Sequence, residues 1–249
     1  MAAPVRDEGI VLRRRTYSEA DRVLVMVTRD HGKLSVLARG ARRPRARNAA
    51  GLDLLTRSEV LLAQGRGLAL LTQARPLGLP WPGQDLIRTA CGAVLAELVD
   101  ATLEEGHPDP GLYFLVAGLR ERLADPGSDP RAELAWGAFQ IAVAGGYRPD
   151  LARCALCGEP LADRDGGFLP GLGGVVQGGC WQAHPEALAC AAETLRLLRR
   201  LEAGDVATLR RLRWTERLRD QTQTILLAHL EHHLDRPLRA ARVLAELGS

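Results

Sequence analysis

The stretch Leu79-Pro80-Trp81-Pro82-Gly83 can continue neither a helix nor a strand, and the pattern of the chain changes across it. Before it, short β-like runs alternate with turns. After it, long helical periods dominate. Strands gathered before helices describe an α+β protein, with a first domain over residues 1–80 and a second over 81–249.

Working back from Pro80, five runs read as strands. Gly9-Ile-Val-Leu-Arg-Arg-Arg15 is short and apolar at its start, and Arg22-Val-Leu-Val-Met-Val-Thr28 is rich in β-branched residues. Asp30-His-Gly32 supplies a turn. In Lys33-Leu-Ser-Val-Leu-Ala-Arg39, the alternation places Leu34, Val36 and Ala38 on one face. Ser58–Ala63 and Leu68–Thr72 flank Gln64-Gly-Arg-Gly67, which is a hairpin signal. Five short strands in this length suit an OB-fold β-barrel, a common nucleic-acid platform, with an SH3-like barrel as the competing reading.

Between the third and fourth strands lies Arg39-Gly-Ala-Arg-Arg-Pro-Arg-Ala-Arg-Asn48, with five arginines in ten residues and no acid. Guanidinium forks bind phosphate in bidentate fashion. Arg13, Arg14, Arg15 and Lys33 on neighbouring strands extend the set, so the candidate phosphate contacts are these four with Arg39, Arg42, Arg43, Arg45 and Arg47. Residues 1–80 hold 15 basic and 7 acidic residues, a net of +8; residues 81–249 hold 18 and 23, a net of −5. Their sum is the chain's modest +3. A compact +8 region attracts polyanions through its summed field. Tyr17 is the only aromatic residue before Trp81. Repeated base stacking is therefore excluded, and binding directed at the backbone, indifferent to sequence and sensitive to salt, is expected.

Beyond Pro82, helices are expected over Asp85–Glu105, Gly111–Leu123, Pro130–Ala144, Ala187–Leu201, Leu209–Leu234 and Leu238–Leu247. Leu86, Cys91, Val94, Leu95 and Leu98 would form the apolar face of the first, with Cys91 in the core. Glu231-His-His233 reads as a solvated helical turn. The element at about 147–190 interrupts the helices. Cys154-Ala-Leu-Cys157-Gly158 is a C-x-x-C-G turn able to grip one tetrahedral ion, and Cys180 follows after 22 intervening residues. Phe168–Val176 reads as the hairpin joining these halves. The fourth ligand is His184, at C-x3-H spacing, or alternatively Cys190. A closed set of four protein ligands would hold a structural Zn2+. A thioredoxin-like Cys154/Cys157 redox pair is the competing reading, but its βαβ setting is not visible.

The run Gly9-Ile-Val-Leu-Arg13, then Glu19-Ala-Asp-Arg22, Gly32-Lys33-Leu34 and Ala38-Arg-Gly-Ala-Arg-Arg43 resembles the N-terminus of the RecO family, bacterial DNA repair and recombination mediators. The likeness continues through Gly146-Tyr-Arg-Pro149, Cys154-x-x-Cys157-Gly158 and Gly173-Gly-Val-Val176. The resemblance implies an N-terminal OB-fold, a helical domain with a zinc-binding element, binding to single- and double-stranded DNA and annealing of complementary strands. It also implies work with RecR and single-stranded-DNA-binding protein, and assistance in loading RecA. Zinc-bearing relatives usually continue Gly-Gly-Val-Val into C-x-x-C. Here Gln177 stands at the first of those positions. An adaptor that docks an acidic partner tail, through helical arginines such as Arg210, Arg213 and Arg217, is the alternative function.

No Walker A loop, dinucleotide fingerprint, H-E-x-x-H or G-x-S-x-G is present, so a non-enzymatic protein is expected. The absence of an apolar span or signal-like start makes a cytoplasmic location the expectation, nucleoid-associated when DNA is bound, with no membrane contact.

Overall fold

The structure, a computed structural model, describes residues 4–43, 51–63, 67–202, 212 and 214–247. Its first part is a closed five-stranded barrel of β1 (Val5–Thr16), β2 (Arg22–Thr28), β3 (Gly32–Ala38), β4 (Arg57–Ala63) and β5 (Ala69–Pro76). The order around the barrel is β1-β2-β3-β5-β4, with β4 returning to pair with β1. Only β3 and β5 run parallel among these strands. This is the arrangement of an OB-like Greek-key barrel. β1 begins four residues earlier than its apolar run, because antiparallel pairing of Val5–Ile10 with Arg57–Leu62 recruits polar residues that carry no strand signal of their own.

The two faces of β1 explain its continuous apolar run. Val11 points into the barrel with Leu24, Met26, Val36, Leu52 and Val60. Ile10 and Leu12, with Val27 of β2 and Leu55 ahead of β4, point outward into the core of the helical part. A strand covered on both sides loses strict alternation. A register shift between Val11 and Arg13 then ends the double coverage, and Arg13, Arg14 and Arg15 emerge into solvent.

The helices are α1 (Leu86–Thr102), α2 (Pro110–Ala124), α3 (Pro130–Ala144), α4 (Gly179–Gln182), α5 (Ala192–Glu202), α6 (Glu216–His233) and α7 (Arg239–Glu246). Asp85, Asp109 and Asp129 cap α1, α2 and α3, each accepting a hydrogen bond from a first-turn N–H. Proline follows the cap in α2 and α3, where its missing donor costs nothing. α1 packs on α2, α3 and α7, and α3 on α6. Gly137 of α3 sits where an added Cβ would lie 2.1 Å from Leu119 Cδ2, so the Leu119 side chain of α2 packs over the bare glycine and would have to move for any larger residue.

The barrel and the helices are stitched together at Gly32-Lys33. Gly32 has φ +71°, and a Cβ there would fall 2.2 Å from the His107 carbonyl oxygen. The Lys33 carbonyl accepts from Gly106 N–H at 2.9 Å, and its ammonium donates to the Asp100 carbonyl at 2.7 Å.

Several helical expectations change. Leu86 is 67% exposed, so the apolar face of α1 starts at half-buried Ile87 and is fully buried from Ala90 and Cys91. The expected helix over Ala187–Leu201 is instead strand β8 (Leu188–Cys190) followed by α5. β8 adds to one edge of β6 (Gly166–Leu169), whose other edge holds β7 (Gly174–Val176). Pairing with Gly166–Phe168 draws these residues out of the helical period. The helix expected from Leu209 starts at Glu216, where the Thr215 side chain accepts from Leu218 N–H; residues 203–211 and 213 lie outside the described set.

Glu231-His-His233 is a joint rather than a solvated turn. His229 is buried and donates from Nε2 to the Tyr147 carbonyl at 2.6 Å. His233 stacks on Tyr147, and its ring also meets those of His229 and His232. Glu231 accepts from Leu238 N–H at 2.6 Å, holding the entry to α7. Burial, then the neighbouring His229 and His232, lower the His233 pKa below its ordinary value. A depressed imidazole contributes stability above the unfolded value of about 6.5 that is lost as pH falls through the lower folded value. The urea midpoint should therefore fall between pH 7.5 and 5, and His233→Gln should reduce that fall.

Candidate metal centre and nucleic-acid interface

The segment between α3 and α5 folds into two turns facing across the β6–β7 hairpin. In the first, Gly158 N–H donates to the Cys154 carbonyl at 2.9 Å, closing the C-x-x-C-G turn, and Gly158 adopts φ +74°. The second is Gln177-Gly178-Gly179-Cys180, where Gly178 has φ +57° and Cys180 enters the single turn of α4. Arg199 of α5 ties the segment down, donating to the carbonyls of Leu151 and Leu161 and to Asp163.

These turns bring Cys154, Cys157 and Cys180 together, with their sulfur atoms within 4.8 Å of one another. Burial pushes the Cys154 thiol up, but backbone N–H groups of Cys157, Leu156 and Gln177 aimed at its sulfur outweigh this and hold it at about 7. Cys180 is pushed up to about 11, chiefly by its hydrogen bond with Cys157. Close sulfur spacing and N–H donors directed at a thiolate fit a zinc-type cation, and these three residues would hold it.

The expected fourth ligands are not among them. His184 Nδ1 lies 2.8 Å from Glu186 Oε1 and is not part of the thiol cluster. Cys190 ends β8 in the hydrophobic core, where burial pushes its thiol up to about 12. Cys91 is buried in α1, as its helical position suggests, and is likewise pushed up to about 12 by burial. Gln177, at the first position of the second turn, is engaged on the other side. Its side chain accepts from Ala162 N–H at 3.1 Å and donates to the carbonyls of Ala162 and Arg164 at 2.9 and 2.8 Å.

The basic residues of the barrel divide into two groups. Lys33 and Arg13 both approach the buried carboxylate of Asp100, at 3.5 and 3.7 Å, and Arg236 reaches it at 3.6 Å. Arg14 pairs with Asp53. These cations lie at the seam with the helices. Lys33 in particular is only 17% exposed and supplies charge rather than a free donor.

Arg15, Arg39, Arg42 and Arg43 are exposed and have no carboxylate partner among the described residues. Their loop is nevertheless held in place. Gly40 N–H donates to Asp21 Oδ1 at 2.8 Å, Arg42 N–H to the Ala20 carbonyl at 3.0 Å, and the Arg42 side chain to the Ser18 carbonyl at 3.0 Å. The β1–β2 turn thus pins the start of the arginine loop. Tyr17 stands on that same turn, 64% exposed, a neighbour of the arginines that spacing along the chain did not reveal. Arg45 and Arg47 lie outside the described residues, as do Arg210 and Arg213; Arg217 is exposed on α6.

No helix among the described residues is long and apolar enough to cross a membrane. A family model described as the N-terminal part of recombination protein O matches residues 1–80, and one described as its C-terminal part matches residues 83–242. The chain is 33% identical over 245 residues to the DNA repair protein RecO of Symbiobacterium thermophilum, covering 97% of each. It is 35% identical over 243 residues to the protein of that name from Desulforudis audaxviator, covering 97% of this chain and 96% of that one. The corresponding Anaeromyxobacter dehalogenans protein is 36% identical over 250 residues, covering 98% and 97%. With both halves matched and a third or more of the residues shared along nearly the whole length, the chain belongs to the recombination protein O (RecO) family.

Proposed function

We propose that the protein is a non-enzymatic mediator of DNA repair and recombination. It binds single- and double-stranded DNA through the phosphate backbone, anneals complementary strands, and assists RecA loading together with RecR. The observation that carries this reading is the start of the arginine loop, where Arg39, Arg42 and Arg43 are exposed, have no carboxylate partner among the described residues, and are pinned against the β1–β2 turn of an OB-like barrel. Guanidinium groups on an anchored loop grip phosphates without holding bases, so two strands lose their mutual repulsion while their base edges stay free to pair.

In this proposal residues 1–80 engage DNA through Arg15, Arg39, Arg42 and Arg43, with Arg45 and Arg47 continuing the loop. Arg13, Arg14 and Lys33 add field from the seam. The acidic tail of single-stranded-DNA-binding protein docks on basic residues of the helical part such as Arg217. A structural Zn2+ organises the 147–190 element, and the protein works in the cytoplasm, on the nucleoid when bound to DNA.

Binding of fluorescent single- and double-stranded oligonucleotides at several salt concentrations, with annealing followed by strand pairing, tests the reading. Affinity should fall steeply with salt, about 0.9 log units per log unit of salt for each duplex phosphate contacted. Affinity that ignores salt would overturn it. Tyr17→Ala should weaken single-strand binding by about 10-fold, within the ~1–3 kcal/mol that one stacked base contributes, and spare duplex binding.

A further inference from the structure

We infer that Cys154, Cys157 and Cys180 hold a zinc-type cation as three thiolates and leave its fourth coordination position to an exchangeable ligand from outside the chain. This inference rests on the reading that the cluster binds metal, and it concerns what closes the coordination shell.

Three observations support it. The three sulfur atoms converge within 4.8 Å, whereas His184 and Cys190 lie outside the group. Gln177 stands at the first position of the second turn, yet its amide is committed elsewhere. Both ends of that amide bind backbone groups of Ala162 and Arg164, and the residue is only 7% exposed. Turning it toward the thiols would break all three hydrogen bonds of a buried side-chain amide. Its own N–H already points at the Cys154 sulfur, the hydrogen bond that a knuckle residue makes beside a ligand. The third observation is access. Cys157 is exposed and Cys180 partly so, which leaves the side of the cluster away from Cys154 open to solvent.

The chemistry follows from the donor count. A divalent ion that displaces three thiol protons gives a site of net charge −1, against −2 for four thiolates. Water fills the vacant tetrahedral position, and a neutral nitrogen donor can replace it without adding charge. Such an ion is held less firmly than in a closed four-thiolate site. It exchanges with chelators, and it gives the 147–190 element a metal that an outside donor can reach.

The experiment uses the full chain loaded with Co2+, whose visible spectrum reports both the number of thiolates and the completeness of the shell. Wild type should show thiolate-to-cobalt charge transfer, and imidazole should shift its visible bands. Gln177→Cys should gain charge-transfer intensity, lose its response to imidazole, and resist a chromophoric chelator by more than the roughly 10–100-fold that an outer-shell partner contributes. His184→Ala and Cys190→Ser should retain the wild-type spectrum and chelator competition. A wild-type spectrum indifferent to imidazole, or lost in His184→Ala, would overturn the open position while leaving metal binding intact. Failure of wild type to bind either Co2+ or Zn2+, matching Cys154→Ser, would overturn the inference together with the metal reading beneath it.

Discussion

Replacing Arg39, Arg42 and Arg43 together by glutamate should lower DNA affinity at 50 mM salt by at least about 100-fold, and should flatten the salt dependence by roughly 2–3 log units per log unit. The reasoning is additive over phosphates. Each exposed guanidinium that neutralises one phosphate releases about one counterion, and reversal of its sign replaces that release with repulsion. The loop is anchored through Gly40 N–H and the Arg42 backbone N–H, groups the substitutions leave in place, so the barrel should keep its fold. Fluorescence anisotropy with single- and double-stranded oligonucleotides measures the effect, and circular dichroism checks the fold. Unchanged affinity at low salt would remove this loop from the DNA-binding surface.

The largest stability effect is expected at Arg120. Its side chain is almost wholly buried in α2, and it crosses from the helices to the barrel side. Nε donates to the Leu55 carbonyl at 2.9 Å and Nη1 to Glu121 at 3.0 Å. Leu55 is itself buried at φ +58°, a left-handed conformation disfavoured for a branched side chain. Its N–H donates to the Val11 carbonyl at 2.8 Å, so Leu55 is held from both sides. Arg120→Ala removes the donor, strands the Leu55 carbonyl and opens a cavity. Breaking a buried charged contact of this kind costs about 3–5 kcal/mol. Arg120→Met keeps most of the volume but not the donor, and should lose less. Urea unfolding followed by Trp fluorescence distinguishes the two; equal, small losses would show that the seam does not depend on this guanidinium.

How far the fold could be read in the chain depended on whether the deciding interactions were local. β2 and α3 came out at the residues expected, because Arg22–Thr28 contains an unbroken apolar run with valine at every second position and Pro130–Ala144 is bounded by an Asp-Pro start and a Gly-Gly stop. The start of β1 did not, since Arg6-Asp7-Glu8 becomes strand only by pairing with residues more than fifty positions away. β8 was hidden for the same reason: Leu188–Cys190 has the composition of a helix start and is extended only because β6 offers an edge.

The candidate site shows the same division. The three thiols were legible because the C-x-x-C-G turn is local and a single hairpin brings Cys180 to it. The fourth position was not. Spacing favours His184, but spacing does not register that its ring is engaged by Glu186, or that Gln177 is fully engaged with a loop thirteen to fifteen residues earlier. Among the arginines, local density marked the loop, whereas the capture of Lys33 and Arg13 by Asp100 depended on a helix some seventy to ninety positions downstream.

The outward face of β1 also bears on synthesis. Ile10, Leu12 and Val27 are covered by helices that the ribosome has not yet made when the barrel strands emerge. Translation proceeds at about 5–20 residues per second, so the roughly forty residues from Pro80 to Arg120 add about 2–8 seconds. During that interval the nascent barrel displays an apolar stripe beside its arginines. Newborn chains of this protein should therefore be clients for hydrophobic holdases until α2 has emerged, and a premature stop within α1 should yield an aggregating fragment rather than a small DNA-binding domain.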